Sequence, residues 1–479
     1  MVWTASDAKE IDRLSSEVYS IPALHLMEEA GQAIYRLALS LWKPHCRFLI
    51  LAGAGNNGGD ALVVARRLYE AGFFPRVIDV SEGKESVERL AQRLRLEALG
   101  CSLFSARVLI DDEGPWIIID GLLGIGLSGP LRPGLVFDVL QRASAISAVA
   151  TLAIDLPSGL DADCFDQPPP FLKTTDTITF QSLKPLHLVH PSREYCGKIH
   201  VVNDIGFSPL AVTSVMAAQT VKLKHDSDVT SIDKLWSFLP TSAHKYDRGH
   251  VLVIGGSAGK VGAILHSAKG AWRAGAGWVS VAPLSDELMP PLPSAYTYES
   301  FALKGKIDTQ ELMTFLETRR VKAVLIGPGT MQNPLNAKLL RMLSTAQKKA
   351  GLRLIFDAGA LDKFLELSEG LEFHPDHTLL TPHPGEWKKL SSIHGEIKSM
   401  KDIYRLQDIF KTFSVIYKSS TPIVLHPERA TFLSGGNNRL GRAGSGDTLA
   451  GLVLGLSAVP RPIDELAALA QKLMMQSFT

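Results

Sequence analysis

Three turns in the first half of the sequence gather oxygen-bearing side chains beside glycines. In AGAGNNGGD, Gly53, Gly55 and Gly58 satisfy G-x-G-x-x-G directly after an apolar run and before a helical pattern. Such a turn offers free backbone N–H groups and the positive end of a helix to an anionic phosphate. Asp79 closes the next apolar run, about where a dinucleotide fingerprint places its acid. Plain tight packing of a strand on a helix explains the glycines equally well, and the absence of GK[ST] excludes a P-loop. Neither reading needs Asn56, Asn57 and Asp60 in the same turn. Two more apolar runs end alike: IIIDGLLGIGLSGP places Asp120 before a glycine-rich loop, and AIDLPSGLDAD places Asp155 and Ser158 at a turn shaped by Pro157 and Gly159. The carboxyl ends of parallel strands converge on one crevice, so Asn57, Asp120, Asp155 and Ser158 are expected to meet. Hard oxygen donors without His or Cys suit Mg²⁺, Ca²⁺ or an alkali ion over zinc. Taken singly, each Asp also reads as a cap or a turn former.

The second half holds a different set. GRAGSGD precedes the apolar run TLAGLVLGL, so Gly444, Ser445 and Gly446 would present backbone donors at a helix N-terminus with Asp447 in its first turn. A carboxylate beside a phosphate cradle suits deprotonation of a hydroxyl that attacks or leaves with a phosphoryl group; simple helix capping is the alternative. IGPGT at 326–330 and FDAGAL at 356–361 turn through glycines, TPHPGE holds His383 between two prolines, and YKSST puts Lys418 at another strand end. Four such ends in one sheet predict a binding crevice. GGSAGKVGA follows a strand too, but Lys260 is followed by Val261, so it is not a Walker motif.

The elements that must position these groups alternate. After two helical stretches separated by Pro22, strands are predicted at 47–52, 75–80, 116–120, 149–154, 176–180 and 198–202, with helices at 61–71, 85–99 and 135–143. Alternation of buried strands and amphipathic helices argues for a mostly parallel sheet covered on both faces. The rhythm fails between Ser208 and Asp247, a polar stretch containing KLKHDSD, and resumes with strands at 250–254, 278–282, 323–326, 352–357 and 414–417 and a helix at 449–456. We place domains at 1–212 and 241–479 with a linker at 213–240. The fold class is α/β, two doubly wound domains with no fixed-period repeat.

At 479 residues, 46% hydrophobic and 21% charged, with a net charge of +1, the chain is long enough for more than one core and implies no polyanion such as nucleic acid as partner. Its apolar runs are strand-sized, which predicts no membrane span, and no targeting segment is visible at the start. The four cysteines lack CxxC spacing, so neither a zinc site nor a disulfide framework is expected, and a reducing cytoplasm fits.

Both constellations resemble one family, the bifunctional NAD(P)H-hydrate repair enzymes. The first half is similar to their epimerase domain through GAGNNGGDALVVARRL, DGLLGIGLSGPLR, IDLPSGLDAD and the CGKI stretch ending in DIG at 204–206. The second is similar to their ribokinase-like dehydratase domain through HKYDRGHVLVIGGS, GPGT, DAGAL, TPHPGEW and GRAGSGDTLAG. The resemblance implies a Rossmann-like sheet followed by a ribokinase-like one. It implies interconversion of the R and S hydrates of NADH and NADPH, then dehydration of the S hydrate with Mg²⁺ and ADP, giving AMP and phosphate. By position, Asn57, Asp120 and Ser158 would hold K⁺. Asn56, Asn57, Gly58, Gly59 and Asp60, the loop Gly124, Ile125, Gly126, Leu127, Ser128, Gly129 and Pro130, and Asp155 would contact the hydrate, with Asp155 as acid/base. In the second domain Ala263, Gly329, His383 and Asp447 would face the hydrate, while Lys418, Ser419, Ser420, Thr421, Pro422 and Gly446 would hold the nucleotide and Asp447 would act as base.

The sequence departs from the family pattern at Ser419, where Gly is usual, and in ending soon after the GRAGSGD helix, which is expected to weaken the dehydratase half. A ribokinase-like kinase of a small alcohol, an epimerase beside an inactive second domain, and a non-catalytic scaffold are the alternatives; the first leaves NNGGD and D-x-P-S-G unexplained. A homo-oligomer is compatible with the sequence, which carries no determinant of it, and nothing distinguishes NADH from NADPH hydrate or ADP from ATP.

Overall fold

The computed structural model describes residues 1–82, 85–106, 114–229, 231, 235, 242–285, 296–298, 307–390, 395–434 and 441–476. The chain divides into two compact units, Met1–Thr220 with Lys398–Met400, and Val221–Ile397 with Lys401–Thr479.

The first unit is built on seven parallel strands: β1 (Arg47–Ala52), β2 (Arg76–Asp79), β3 (Leu103–Ser105), β4 (Trp116–Gly121), β5 (Ala148–Ile154), β6 (Asp176–Phe180) and β7 (Lys198–Val202), in the order β3-β2-β1-β4-β5-β6-β7. Strand parity divides the core. Phe48, Ile50, Ile117 and Ile119 face one cluster with Ala30, Ile34, Leu62 and Ala65, from α2 (Ala23–Leu41), which follows α1 (Ala5–Arg13) in sequence, and α3 (Asn56–Glu70). Leu49, Leu51, Trp116 and Ile118 face the other with Val139 and Leu140 of α5 (Leu135–Ala143), which follows α4 (Val87–Ala98) in sequence. Each such Val, Leu, Ile or Phe side chain contributes roughly 1.5–3 kcal/mol by leaving water. The order reverses between β1 and β4, and there a doubly wound sheet opens a crevice at the carboxyl ends of its strands.

The second unit carries ten strands: β8 (Lys222–His225), β9 (His250–Gly255), β10 (Trp278–Pro283), β11 (Tyr296–Tyr298), β12 (Val321–Ile326), β13 (Arg353–Phe356), β14 (Thr378–Leu380), β15 (Ser414–Tyr417), β16 (Ile423–His426) and β17 (Arg429–Phe432). Their order is β11-β10-β9-β12-β13-β14-β15-β16-β17-β8. All pairs are parallel except β15–β16 and β16–β17. One face packs Val251, Val253, Ala323, Leu325 and Ile355 against the helices Val261–Arg273, Ser445–Leu456 and Ile463–Gln476. Helices meet closely where glycines permit: a Cβ at Gly451 would lie 2.1 Å from the Ser267 carbonyl oxygen, and one at Gly270 2.7 Å from that of Thr448.

The segment 213–240, expected as a linker, holds the end of the helix Pro209–Ala218 and the strand β8, which pairs with β17. Most of 230–241 lies outside the described residues. The boundary falls between Thr220 and Val221. KLKH reads as polar because β8 is an edge strand, where lysines are tolerated and protective; Leu223, 7% exposed, is its buried side chain.

Candidate functional site

In the first unit, β1 leads into α3 through a turn whose glycines have separate reasons. A Cβ at Gly53 would fall 1.9 Å from the Leu122 carbonyl oxygen and one at Gly58 1.9 Å from that of Gly53, whereas Gly55, the residue capping α3, meets nothing within 4 Å. Close strand–helix packing therefore accounts for the first and third glycines of the pattern. Asp79 has another occupation than a ribose: its Oδ1 accepts from the Arg89 guanidinium at 2.6 Å and from the Ser81 N–H at 2.9 Å. Arg89 is itself fully buried, bonds Glu85, and donates from Nε to the Gly53 carbonyl at 2.5 Å.

Asn57, Asp120 and Ser158 come together around Leu123. Asn57 Nδ2 donates to the carbonyls of Leu123 (3.0 Å) and Ile154 (3.2 Å). The Leu123 N–H donates to Ser158 Oγ at 2.9 Å, and Ser158 donates to Asp120 through its hydroxyl (2.6 Å) and its backbone N–H (2.9 Å). Asp120 is fully buried, and burial raises its pKa against these bonds and one from the Leu122 N–H. Among the described residues no cationic side chain pairs with it. A buried carboxylate lacking a cationic partner, beside the Ser158 hydroxyl and the Leu123 carbonyl which that hydroxyl touches, fits a hard metal ion.

Asp155 follows β5 with φ of +66°, in the left-handed region. Its N–H donates to the Ile178 carbonyl at 2.7 Å, while Lys184 Nζ (2.6 Å) and the Thr179 hydroxyl (2.9 Å) both donate to its Oδ1. Burial would raise this carboxyl, but the Lys184 charge and hydrogen bond, with the Thr179 hydrogen bond, outweigh it and the pKa is lowered. His187 is held neutral, its pKa pushed down to about 3 by burial and then by the Lys184 charge. Asp60 shifts the opposite way: burial and the charges of Asp155 and Asp12 raise it well above the carboxylate range. Asp12 is raised by burial and by Glu88.

A cavity of about 460 Å³ opens beside these groups, with Asp120, Ser158, Thr179 and His187 behind its wall. Asn56, Asn57, Asp60, Gly124, Ile125, Gly126, Leu127 and Asp155 are in its wall, together with Trp3, Asp12, Lys184, Phe180 and Phe207. Gly58 and Gly59 are buried in α3, the latter against Met27, and do not line it. Nor do Ser128, Gly129 and Pro130, of which Gly129 donates its N–H to Asp161 at 2.8 Å. Sequence reasoning missed Lys184, Thr179 and Asp12. The available signal for Lys184 was a lone lysine in an apolar stretch just after a strand, TFQSLKPLH.

The second unit brings its polar strand ends together as well. Lys418 Nζ donates to Asp357 Oδ1 at 2.8 Å, and the Thr381 hydroxyl donates to the same oxygen at 2.5 Å. Gly446 lies beside the lysine, since a Cβ there would sit 3.6 Å from Lys418 Nζ. Asp447 lies in the first turn of the Ser445–Leu456 helix, capped by Gly444 at φ +83°. Its carboxyl is raised to about 6, first by burial and then by the Asp357 charge, with Lys418 and His266 pulling the other way. Gly329 and Ala263 are neighbours: a Cβ at Gly329, φ +66°, would lie 2.8 Å from the Ala263 Cβ. His383 caps its own short helix, its Nδ1 accepting from the Gly385 N–H at 2.9 Å, and lines a separate cavity of about 420 Å³ with Thr330, Asn333 and Glu386. In the nucleotide loop Lys418 and Ser419 are half-buried and Ser420 is exposed, whereas Thr421 and Pro422 are buried. The Ser419 side chain turns back to donate to the Thr421 carbonyl at 2.5 Å, so its extra atoms over glycine are absorbed within the loop.

Comparison with known proteins follows this division. Residues 251–477 match the family described as NAD(P)H-hydrate dehydratase, and residues 23–186 match the family described as YjeF-related protein N-terminus. The bifunctional NAD(P)H-hydrate repair enzyme of Escherichia coli K12 is 31% identical over 94% of this chain and 84% of its own length. The chain belongs to the bifunctional NAD(P)H-hydrate repair enzymes. The member from Coxiella burnetii is 30% identical over 94% of this chain and 88% of its own. A solved ribokinase-like superfamily protein from Enterococcus faecalis V583 is 26% identical, covers 53% of this chain and 86% of its own, and has a TM-score of 0.45.

The dehydratase match of this repair enzyme coincides with the unit holding Asp447, and the N-terminal match with the unit holding Asp155. Its four cysteines are free thiols, and among the described residues no helix is long and apolar enough to cross a membrane. One further acidic and histidine group, Asp376, His426 and Asp464, has metal-like spacing. Arg429 bonds both carboxylates at 3.0–3.1 Å, which makes the group an ion-pair cluster tying β17 to the Ile463–Gln476 helix.

Proposed function

We propose that the first unit epimerises the R and S hydrates of NADH and NADPH at the Asp155 cavity, and that the second dehydrates the S hydrate at the Asp447 centre at the expense of ADP, giving AMP and phosphate. The observation that carries the epimerase half is the ionised, cavity-lining Asp155 held by Lys184. Inverting a hydroxyl-bearing carbon requires breaking one of its bonds and re-forming it on the other face. A carboxylate that takes the hydroxyl proton and returns it serves both directions. The cavity volume suits the nicotinamide end of the cofactor, and Trp3, Phe180 and Phe207 supply apolar wall for its ring. Asn57, Asp120 and Ser158 would hold K⁺, which supplies the positive charge that buried Asp120 lacks.

In the second unit Asp447, raised to about 6, is poised to accept the hydrate's hydroxyl proton while that oxygen is phosphorylated. Lys418 and the backbone donors at Gly446 would hold the ADP phosphates, with Mg²⁺ bound through the nucleotide. Phosphorylation converts a poor leaving group into a good one, and elimination regenerates the dihydropyridine. Ala263 and Gly329 keep that floor free of bulk, and His383 lines the neighbouring cavity. The free thiols suit a reducing compartment such as the cytoplasm.

The test is recovery of reduced-nicotinamide absorbance from a mixed R and S hydrate preparation with K⁺, Mg²⁺ and either ADP or ATP. Full recovery with ADP supports both halves, and Asp155→Ala should then stop near the S fraction. No recovery with either nucleotide overturns the dehydratase assignment, and chromatographic R and S exchange then decides the epimerase half by itself.

A further inference from the structure

We propose that Lys184 is the positioning residue of the epimerase site: it keeps Asp155 ionised inside the cavity and locks one of its oxygens, leaving the other as the base. The inference rests on the epimerase reading above and goes beyond it by naming a residue and its division of labour. Lys184 is 3% exposed, and its Nζ lies 2.6 Å from Asp155 Oδ1 and 2.7 Å from the Thr179 hydroxyl, which itself donates to the same Oδ1 at 2.9 Å. The three groups form a closed triangle on one carboxylate oxygen. Asp155 Oδ2 has no hydrogen-bond partner among the described residues, although both Asp155 and Lys184 are in the cavity wall.

Removing a lysine from water is costly unless its charge is paired and bonded. This ion pair lies in the cavity wall, where substrate has access to it. It leaves an oxygen unoccupied at a residue whose backbone is held at φ +66° by its N–H bond to Ile178. The other titratable groups around the cavity are Asp60 of α3, Lys9 and Asp12 from the Ala5–Arg13 helix, and His187, and of the groups there only Lys184 is hydrogen-bonded to Asp155 as a cation. Asp60 carries like charge when ionised and His187 is neutral, so Lys184 is the fixed cation that offsets burial. With Oδ1 locked, the hydrate's O–H proton moves to Oδ2 as the bond from the hydroxyl-bearing carbon to the ring nitrogen breaks, leaving a carbonyl and the electron pair on nitrogen. The nitrogen re-adds to the other carbonyl face and the proton returns from Oδ2, with no net change at the lysine.

The experiment compares wild type, Lys184→Met, Lys184→Arg and Thr179→Val in the full-length chain, by R and S exchange against pH and by infrared difference titration of the Asp155 carboxyl, using Asp155→Asn as reference. Lys184→Met is expected to lower epimerase kcat/KM at neutral pH on the order of 10²-fold and to move its acid limb upward, with rate regained at higher pH. The Asp155 carboxyl should titrate below the ordinary carboxylate range in wild type and above it in Lys184→Met. Lys184→Arg should restore most of the rate and the profile. S-hydrate dehydration by the second unit, unchanged throughout, reports an intact chain. An unshifted pH profile and unshifted carboxyl titration in Lys184→Met overturn the proposal. Failure of wild type to exchange the hydrates overturns the epimerase reading, and the carboxyl titration still judges Lys184.

Discussion

Asp447 and Asp155 are both candidate bases, yet their surroundings set them apart. Asp155 is lowered by a buried lysine, whereas Asp447 is raised to about 6 first by burial and then by the charge of Asp357, the carboxylate that Lys418 pairs with. A base must be ionised, so dehydration of the S hydrate should lose rate as pH falls through about 6, measured as kcat/KM against pH. Asp357→Asn removes the charge that raises Asp447, so the acid limb should move to lower pH while the KM for nucleotide rises through the loss of a fixed Lys418. Asp447→Asn should cost about 10²–10⁴ in kcat and leave R and S exchange intact.

Among the elements, the two glycine-rich helices of the second unit depend on close approach. Gly451→Ala would drive a methyl to within 2.1 Å of the Ser267 carbonyl oxygen on the facing helix. The expected cost is about 1–3 kcal/mol of stability, read by denaturant unfolding, and it should reduce dehydration before it reduces epimerisation, because Asp447 and Ser267 sit on those same two helices. The Ile463–Gln476 helix is anchored differently, through Arg429 to Asp464, which is 4% exposed. Arg429→Met would leave that carboxylate buried without a cation, at a cost of about 3–5 kcal/mol in the same unfolding measurement.

For the whole molecule, two units with separate cores and separate bases predict separable activities. Asp155→Ala and Asp447→Asn, mixed as two purified proteins, should together recover the full absorbance that neither recovers alone, since the hydrate diffuses between them. Failure of the mixture would show that the two activities must reside on one chain. Much of this arrangement is legible without coordinates. Parity of apolar residues, as in Phe48 and Ile50 against Leu49 and Leu51, marks both sheets, and glycine beside Asp at strand ends marks both crevices, because period and turn chemistry are local properties of the chain. Local pattern therefore suffices for the fold class, the two strand-end clusters and their hard-oxygen character. It does not suffice for Asp79 serving Arg89, Gly53 and Gly58 being packing glycines, KLKH being an edge strand, or Lys184 sitting on Asp155. Each of these is a pairing between residues far apart in sequence, brought together by the order of strands in a sheet, and no local pattern encodes which strand lies beside which.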